Sequence, residues 1–167
     1  LNEKNGFFEK LKTPLLAEEF VIYFKIPPSP GFDQLIGLCN DLGINQFRLR
    51  ALGGMSGYNE CFLEDGYNIY CEKNHWIGKI RHTILYELYE ILEIEMHRYC
   101  HDFKRSEYFP LQRKANEFAA CVLMPFTPFI NDILCEGFNI LALQKKYQPV
   151  LWWGEFVSRI MRRSCQS

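Results

Sequence analysis

At 167 residues, with 48% hydrophobic and 16% aromatic side chains, the chain is long enough to bury a core and too apolar for disorder, so one folded unit is expected. Nineteen Lys and Arg against 20 Asp and Glu leave a formal charge of -1, which excludes a global field toward nucleic acid or a membrane surface. Any such contact has to be local. No apolar run reaches the roughly 20 residues that span a bilayer, and the first residues do not follow the order of a signal peptide. The seven cysteines are odd in number and contain no CxxC pair, as expected of reduced thiols in a cytoplasmic protein.

Residues 1–30 read as an amino-terminal extension. Phe7, Phe8, Leu11, Leu15, Leu16, Phe20 and Ile22 predict a helix running into an extended piece. "PPSPGF" from Pro27 to Phe32 breaks it, because proline lacks the backbone donor that helices and strands use. Asp33 to Leu42 carries a helical apolar face, with Gly43 as its stop. From Ile44 to Cys71 the pattern shortens to that of a small hairpin sheet: "INQFRLRAL", a "GGMSG" turn, "YNECFL", an "EDG" turn and "YNIYC". Ile80, Thr83, Ile84, Leu88, Ile91, Leu92 and Glu95 then repeat at helical spacing, predicting a long buried helix from Lys79 to Arg98. Pro110 opens a second helix that Pro125 ends, with Ala115, Phe118, Ala119, Val122 and Leu123 on one side. Three short helices are expected after it: "PFINDILCE", "ILALQKKY" and "VLWWGEFVSRIMRR".

Three blocks together resemble the ImmA/IrrE family of bacterial zinc metallopeptidases. "MSGYNECFLEDGYNIYCEKNHWIGKIRHTILYELYEIL" (Met55 to Leu92) is similar to the family's Ser-Gly hairpin, strand and turn into "RFTLAHELGHLL". "KANEFAACVLMP" (Lys114 to Pro125) follows the family's "EANxFAAxLLMP" almost position by position, and is the most specific of the three. "LALQKKYQPVLWWGEFVSRIMRR" resembles the tail "LAxxFxVSxxxxxxRL". The resemblance covers about residues 33–163. It implies an α+β, zincin-like minimal domain: a small antiparallel or mixed sheet on a long active-site-type helix, with carboxyl-terminal helices. Residues 31–136 would form the peptidase-type domain and residues 137–167 a helical subdomain packed on it.

In the family, two histidines on one helix and the Glu of "EANxFAA" bind zinc, and the Glu after the first His is the base. Here the first ligand position is Tyr86, the second Glu90 and the third Lys114; only the base position, Glu87, keeps its residue. HExxH places two imidazoles about 6 Å apart along one helix face, where they share an ion that lowers the pKa of its water to about 7. A phenol with a pKa near 10 is a poor zinc ligand, and an ammonium opposes a dication. The expectation is a metal-free relic cleft in which Lys114 replaces the ion, pairing with Glu87, Glu90 or both beside the Tyr86 hydroxyl. Its removal would then cost about 3 to 5 kcal/mol.

The function expected from the resemblance is that of an inactive pseudopeptidase acting by protein binding. Family members act on helix-turn-helix repressors in stress responses and mobile elements, so such a repressor is the implied partner, with neither nucleic acid nor membrane. The alternative is an active metallopeptidase that holds zinc with non-standard ligands, or a hydrolase using Glu87 without metal. "HRYCH" (His97 to His101, with Cys100) has a zinc-compatible spacing if helical, but reads better as surface. His82 reads as a packing or helix-start residue, His75 as solvated, and Cys121 as a poor candidate nucleophile. Lys145, Lys146, Arg159, Arg162 and Arg163 lie near Trp152, Trp153 and Phe156, a weak helix-turn-helix signal that suits simple packing equally.

Overall fold

The computed structural model describes residues 17–62, 66–98, 108–137 and 139–147. The element order is α1 (Ala17–Tyr23), α2 (Phe32–Asp41), β1 (Ile44–Arg50), β2 (Gly57–Phe62), β3 (Gly66–Glu72), α3 (Ile77–Arg98), α4 (Tyr108–Leu123), α5 (Phe126–Glu136) and α6 (Ile140–Tyr147). The fold is α+β, with one three-stranded mixed sheet in the order β1-β3-β2. β1 runs parallel to β3, and β2 is antiparallel to it. The hairpin pattern predicted the β2–β3 pair, but the hairpin read across "GGMSG" is not formed: β1 pairs with β3 instead, in parallel, a partner with no local signature.

Alternation decides the two faces of the sheet. Ile69 and Cys71 of β3 turn inward onto α3 and are fully buried, with Asn59 of β2 and Phe47 of β1 beside them in register. Helix α2 ends as its sequence predicted, with Gly43 in the left-handed region (φ 78) that L side chains disfavour.

Helix α3 is the centre of the molecule, with α2 and the sheet packed around it and α4 along its length. Ile84, Leu85, Leu88, Ile91 and Leu92 are each at most 1% exposed, and burying each contributes about 1.5 to 3 kcal/mol. Leu111, Ala115, Phe118, Ala119 and Val122 form the buried stripe of α4. Pro110 falls in the first turn of that helix, where its missing N–H has no helical partner to lose. The amino-terminal helix joins the same core: the Phe20 ring meets Phe118 edge-on, 5.0 Å between centroids.

A second, small cluster of Met124, Phe129, Leu143 and Tyr147 holds α5 to α6, reinforced by a 2.5 Å ion pair from Lys146 to Asp132. Buried Arg81 of α3 reaches toward it, donating to Ser29 Oγ at 3.0 Å, and Ser29 in turn donates to the Tyr147 carbonyl at 3.3 Å. No single helix among the described residues is long and apolar enough to cross a membrane. The "HRYCH" histidine His101 with Cys100, and the expected last helix with its tryptophans and arginines, lie outside the described residues.

Candidate functional site

The family-like positions sit in the middle of α3, under strand β2. A helix bounded on so many sides has little wet face, and its acids are buried along with its leucines: Glu87 is 4% exposed, Glu90 8% and Glu93 4%. The strand can come this close because residue 57 is glycine. A Cβ there would stand 2.3 Å from Thr83 Cγ2, 2.8 Å from the Tyr70 carbonyl oxygen and 3.4 Å from Glu87 Oε1. Two residues on, Asn59 Nδ2 donates to Glu87 Oε2 at 2.8 Å. The base position is therefore roofed by the strand and held by a neutral amide.

Tyr86 and Glu90, the first two ligand positions, are four apart and meet each other: the Tyr86 hydroxyl hydrogen-bonds the Glu90 carboxyl. Glu90 Oε1 is buried with no partner. The next tyrosine repeats the pattern, Tyr89 Oη donating to Glu93 Oε1 at 2.5 Å, and the Tyr67 hydroxyl of β3 bonds Glu95. Burial pushes the Glu87 carboxyl up to about 7; the Asn59 amide opposes this and the nearby Glu90 charge adds to it. Glu90 is raised as well, by burial, against the pull of the Tyr86 hydroxyl. Cys71 faces the same place, its thiol pushed up by burial first and by Glu87 second, so it is no nucleophile.

Lys114 does not join them. It is exposed on α4 and forms no ion pair or hydrogen bond with Glu87 or Glu90, which corrects the expected ammonium-for-metal exchange. Successive helical positions turn by about 100°, and Ala115 and Phe118 take the centre of the contact with α3 while Lys114 falls on its flank. From the flank a long side chain keeps its ammonium hydrated, which avoids the several kcal/mol, on the order of magnitude, that desolvating a charge costs. Burial instead shifts Glu87 and Glu90 toward their protonated forms.

The donor set does not fit zinc. The phenol at the first ligand position is committed to the carboxyl at the second, the third position is an exposed cation, and Glu87 is bound to Asn59. Among the described residues no group of three His, Cys, Asp or Glu side chains is placed to hold a metal ion.

His82, one turn before Tyr86, bridges to α4 by a hydrogen bond to the Asn116 backbone, and burial lowers it to about 4, so it is neutral near pH 7. That matches its reading as a packing residue. His75 is half-buried rather than solvated, its Nδ1 out of water and without a partner. Cys121 is half-buried on α4.

Sequence reasoning placed the Tyr86 hydroxyl beside Glu87 and Glu90, but passed over Asn59, the close approach at Gly57 and the regular pairing of Tyr with Glu. The last had a signal: "YELYEILEIE" puts a tyrosine four residues before a glutamate twice, Tyr86 to Glu90 and Tyr89 to Glu93. Asn59 had none, since its contact spans 28 residues. No family model matches the chain, and neither a curated protein nor a solved structure matches it.

Proposed function

We propose that the chain is a catalytically inactive, zincin-like relative of the ImmA/IrrE peptidases that needs no metal and acts in the cytoplasm by binding protein. A helix-turn-helix repressor of a stress response or mobile element is the partner class. The observation that carries this reading is the internal closure of the base and ligand positions: Glu87 to Asn59, Glu90 to Tyr86, with Lys114 turned to solvent. A hydrolytic metal site needs ligands free to converge and an open coordination position. Strand β2 supports a binding role, because it forms an edge of the sheet above α3, and an edge strand offers backbone donors and acceptors to an extended partner segment.

Elemental analysis of protein purified from zinc-supplemented cells tests the metal-free half: far less than one ion per chain is expected, and stoichiometric zinc would install the active-peptidase alternative. For the binding half, the chain and a candidate repressor from the same host are mixed and followed by size-exclusion chromatography and gel electrophoresis. A complex with the repressor intact is expected; cleavage of the repressor would refute it.

A further inference from the structure

The sheet face turned away from α3 carries a different chemistry. Side chains there come from alternate positions in register: Gln46, Asn68 and Glu60 in one row, Arg48, Tyr70 and Tyr58 in the next, then Arg50 beside Glu72. Tyr58 and Tyr70 stack with ring centroids 4.8 Å apart and planes 18° from parallel, and the Arg50 guanidinium covers the other side of Tyr70 at 4.6 Å. The cation and two rings thus make one continuous stack across all three strands. It ends at Tyr58, which is half-buried on the edge strand.

Arg48 and Arg50 are exposed, and neither guanidinium has a carboxylate partner among the described residues. Lys73, also exposed, follows directly, its backbone N–H bonded to the Arg50 carbonyl at 2.9 Å and its charge acting on the neighbouring Glu72 carboxylate. Two carboxylates stand against these three cations. Glu60 is at the far row, and Glu72 is buried and already accepts from the backbone N–H groups of Leu52 at 2.5 Å and Asn74 at 3.0 Å. No helix among the described elements packs on this face by the contacts that position α2 and α3 on the other.

The geometry points to this face as a binding surface for single-stranded nucleic acid, with Arg48, Arg50 and Lys73 on phosphates, the outer side of Tyr58 extending its stack onto a base, and the Gln46 and Asn68 amides on base edges. Open sheets bearing aromatic, basic and amide side chains bind unpaired bases in this way, since stacking tolerates every base and duplexes hide their faces. An acidic polypeptide would use the cations and leave the ring and amide rows idle. The assignment is the local exception to what a net charge of -1 excludes, and it lies on the opposite side of the sheet from the buried acids, so it does not rest on the pseudopeptidase reading.

Fluorescence anisotropy of the full chain with labelled oligouridine and oligothymidine of about ten nucleotides tests it, because single-strand platforms occupy roughly 4 to 16 nucleotides. Binding is expected to weaken with salt at a log–log slope of about -2, from about -0.7 per phosphate contact with three cations engaged. Arg48→Ala with Arg50→Ala should reduce the slope by about 1.4 and the affinity by tenfold or more, Tyr58→Leu should weaken binding roughly tenfold with the slope unchanged, and Arg113→Ala on exposed α4 should change nothing. Circular dichroism melts confirm that each variant is folded. No binding, unchanged affinity in the double arginine variant, or equal competition by polyglutamate or by duplex of the same sequence would each overturn the assignment.

Discussion

Glu87→Gln tests the proposition that a proton, rather than an ammonium or a metal, neutralises the buried Glu87. Glutamine keeps the shape of a protonated glutamate and can still accept from Asn59 Nδ2. Wild-type Glu87 rises from 4.5 to about 7 on folding. Below pH 4.5 both states are protonated and the group costs nothing; as pH climbs toward 7 the unfolded chain releases its proton while the folded chain keeps it, so stability falls; above 7 the loss is complete. At about 1.4 kcal/mol per pH unit, the full loss is roughly 3 kcal/mol, of which about 2.5 falls between pH 5 and pH 8. Glutamine has no proton to lose. Urea unfolding at pH 5 and pH 8 should therefore show the variant gaining about 2.5 kcal/mol on the wild type between the two. In thermal melts the same gain is roughly 5 to 10 °C for a chain of this size. Parallel pH profiles for variant and wild type would refute the reasoning, because they would mean that Glu87 is ionised in the folded protein with a counter-charge unlike any described here.

Three further outcomes follow from the same geometry. Lys114→Ala should change unfolding free energy by no more than about 0.5 kcal/mol, as for other exposed, unpaired side chains; a loss of about 3 kcal/mol or more in urea titration would restore the ammonium contact. Gly57→Ala should destabilise by about 1 to 3 kcal/mol in a thermal melt, since the new methyl overlaps Thr83 and the Tyr70 carbonyl, and Thr83→Ser, which removes the nearer atom, should recover part of the loss. His82→Gln should reveal a slope opposite to that of Glu87. The imidazole falls from 6.5 to about 4 on folding, so its contribution is present above pH 6.5 and is lost as pH drops toward 4. The variant should therefore gain on the wild type as pH falls from 7 to 5, measured by the same urea titrations.

The elements were legible where one period ran uninterrupted. The predicted helix from Lys79 to Arg98 is α3 less its first two residues, and the predicted α2, the hairpin strands, α5 and α6 lie within a residue or two of their place. Burial on α3 was less legible. Leu88 and Ile91 announce a buried side, but nothing in "YELYEILEIE" says that the acids are buried too, because that depends on a strand whose Gly57 admits close approach from 26 residues upstream of Thr83. Lys114 was misplaced for a related reason. A motif aligns positions along a chain, and a side chain on the flank of a helix can turn inward or outward according to which state of it is cheaper in water.

Charge conservation at the α3 site makes the proton the economical replacement. In a family site as the resemblance describes it, a dication balances a ligand carboxylate and the base. Removing the ion and leaving Glu87 and Glu90 ionised would bury two negative charges that repel each other, and the only cation in the aligned motif, Lys114, stays in water. Shifting both carboxyls toward their acid forms reduces that repulsion with no conformational demand, and burial outweighs the Tyr86 and Asn59 donors, which favour the ionised forms. Tyr86 and Asn59 donate to these carboxyls at one oxygen each, leaving Glu90 Oε1 as a buried oxygen without a donor. A bare carboxylate oxygen in that position would forgo the strong hydrogen bonds that ionised acceptors require, whereas a protonated acid places less negative charge there. The site is therefore least stable where a hydrolytic base would have to work: above neutral pH Glu87 ionises in a buried position where the Asn59 amide offsets only part of the lost hydration.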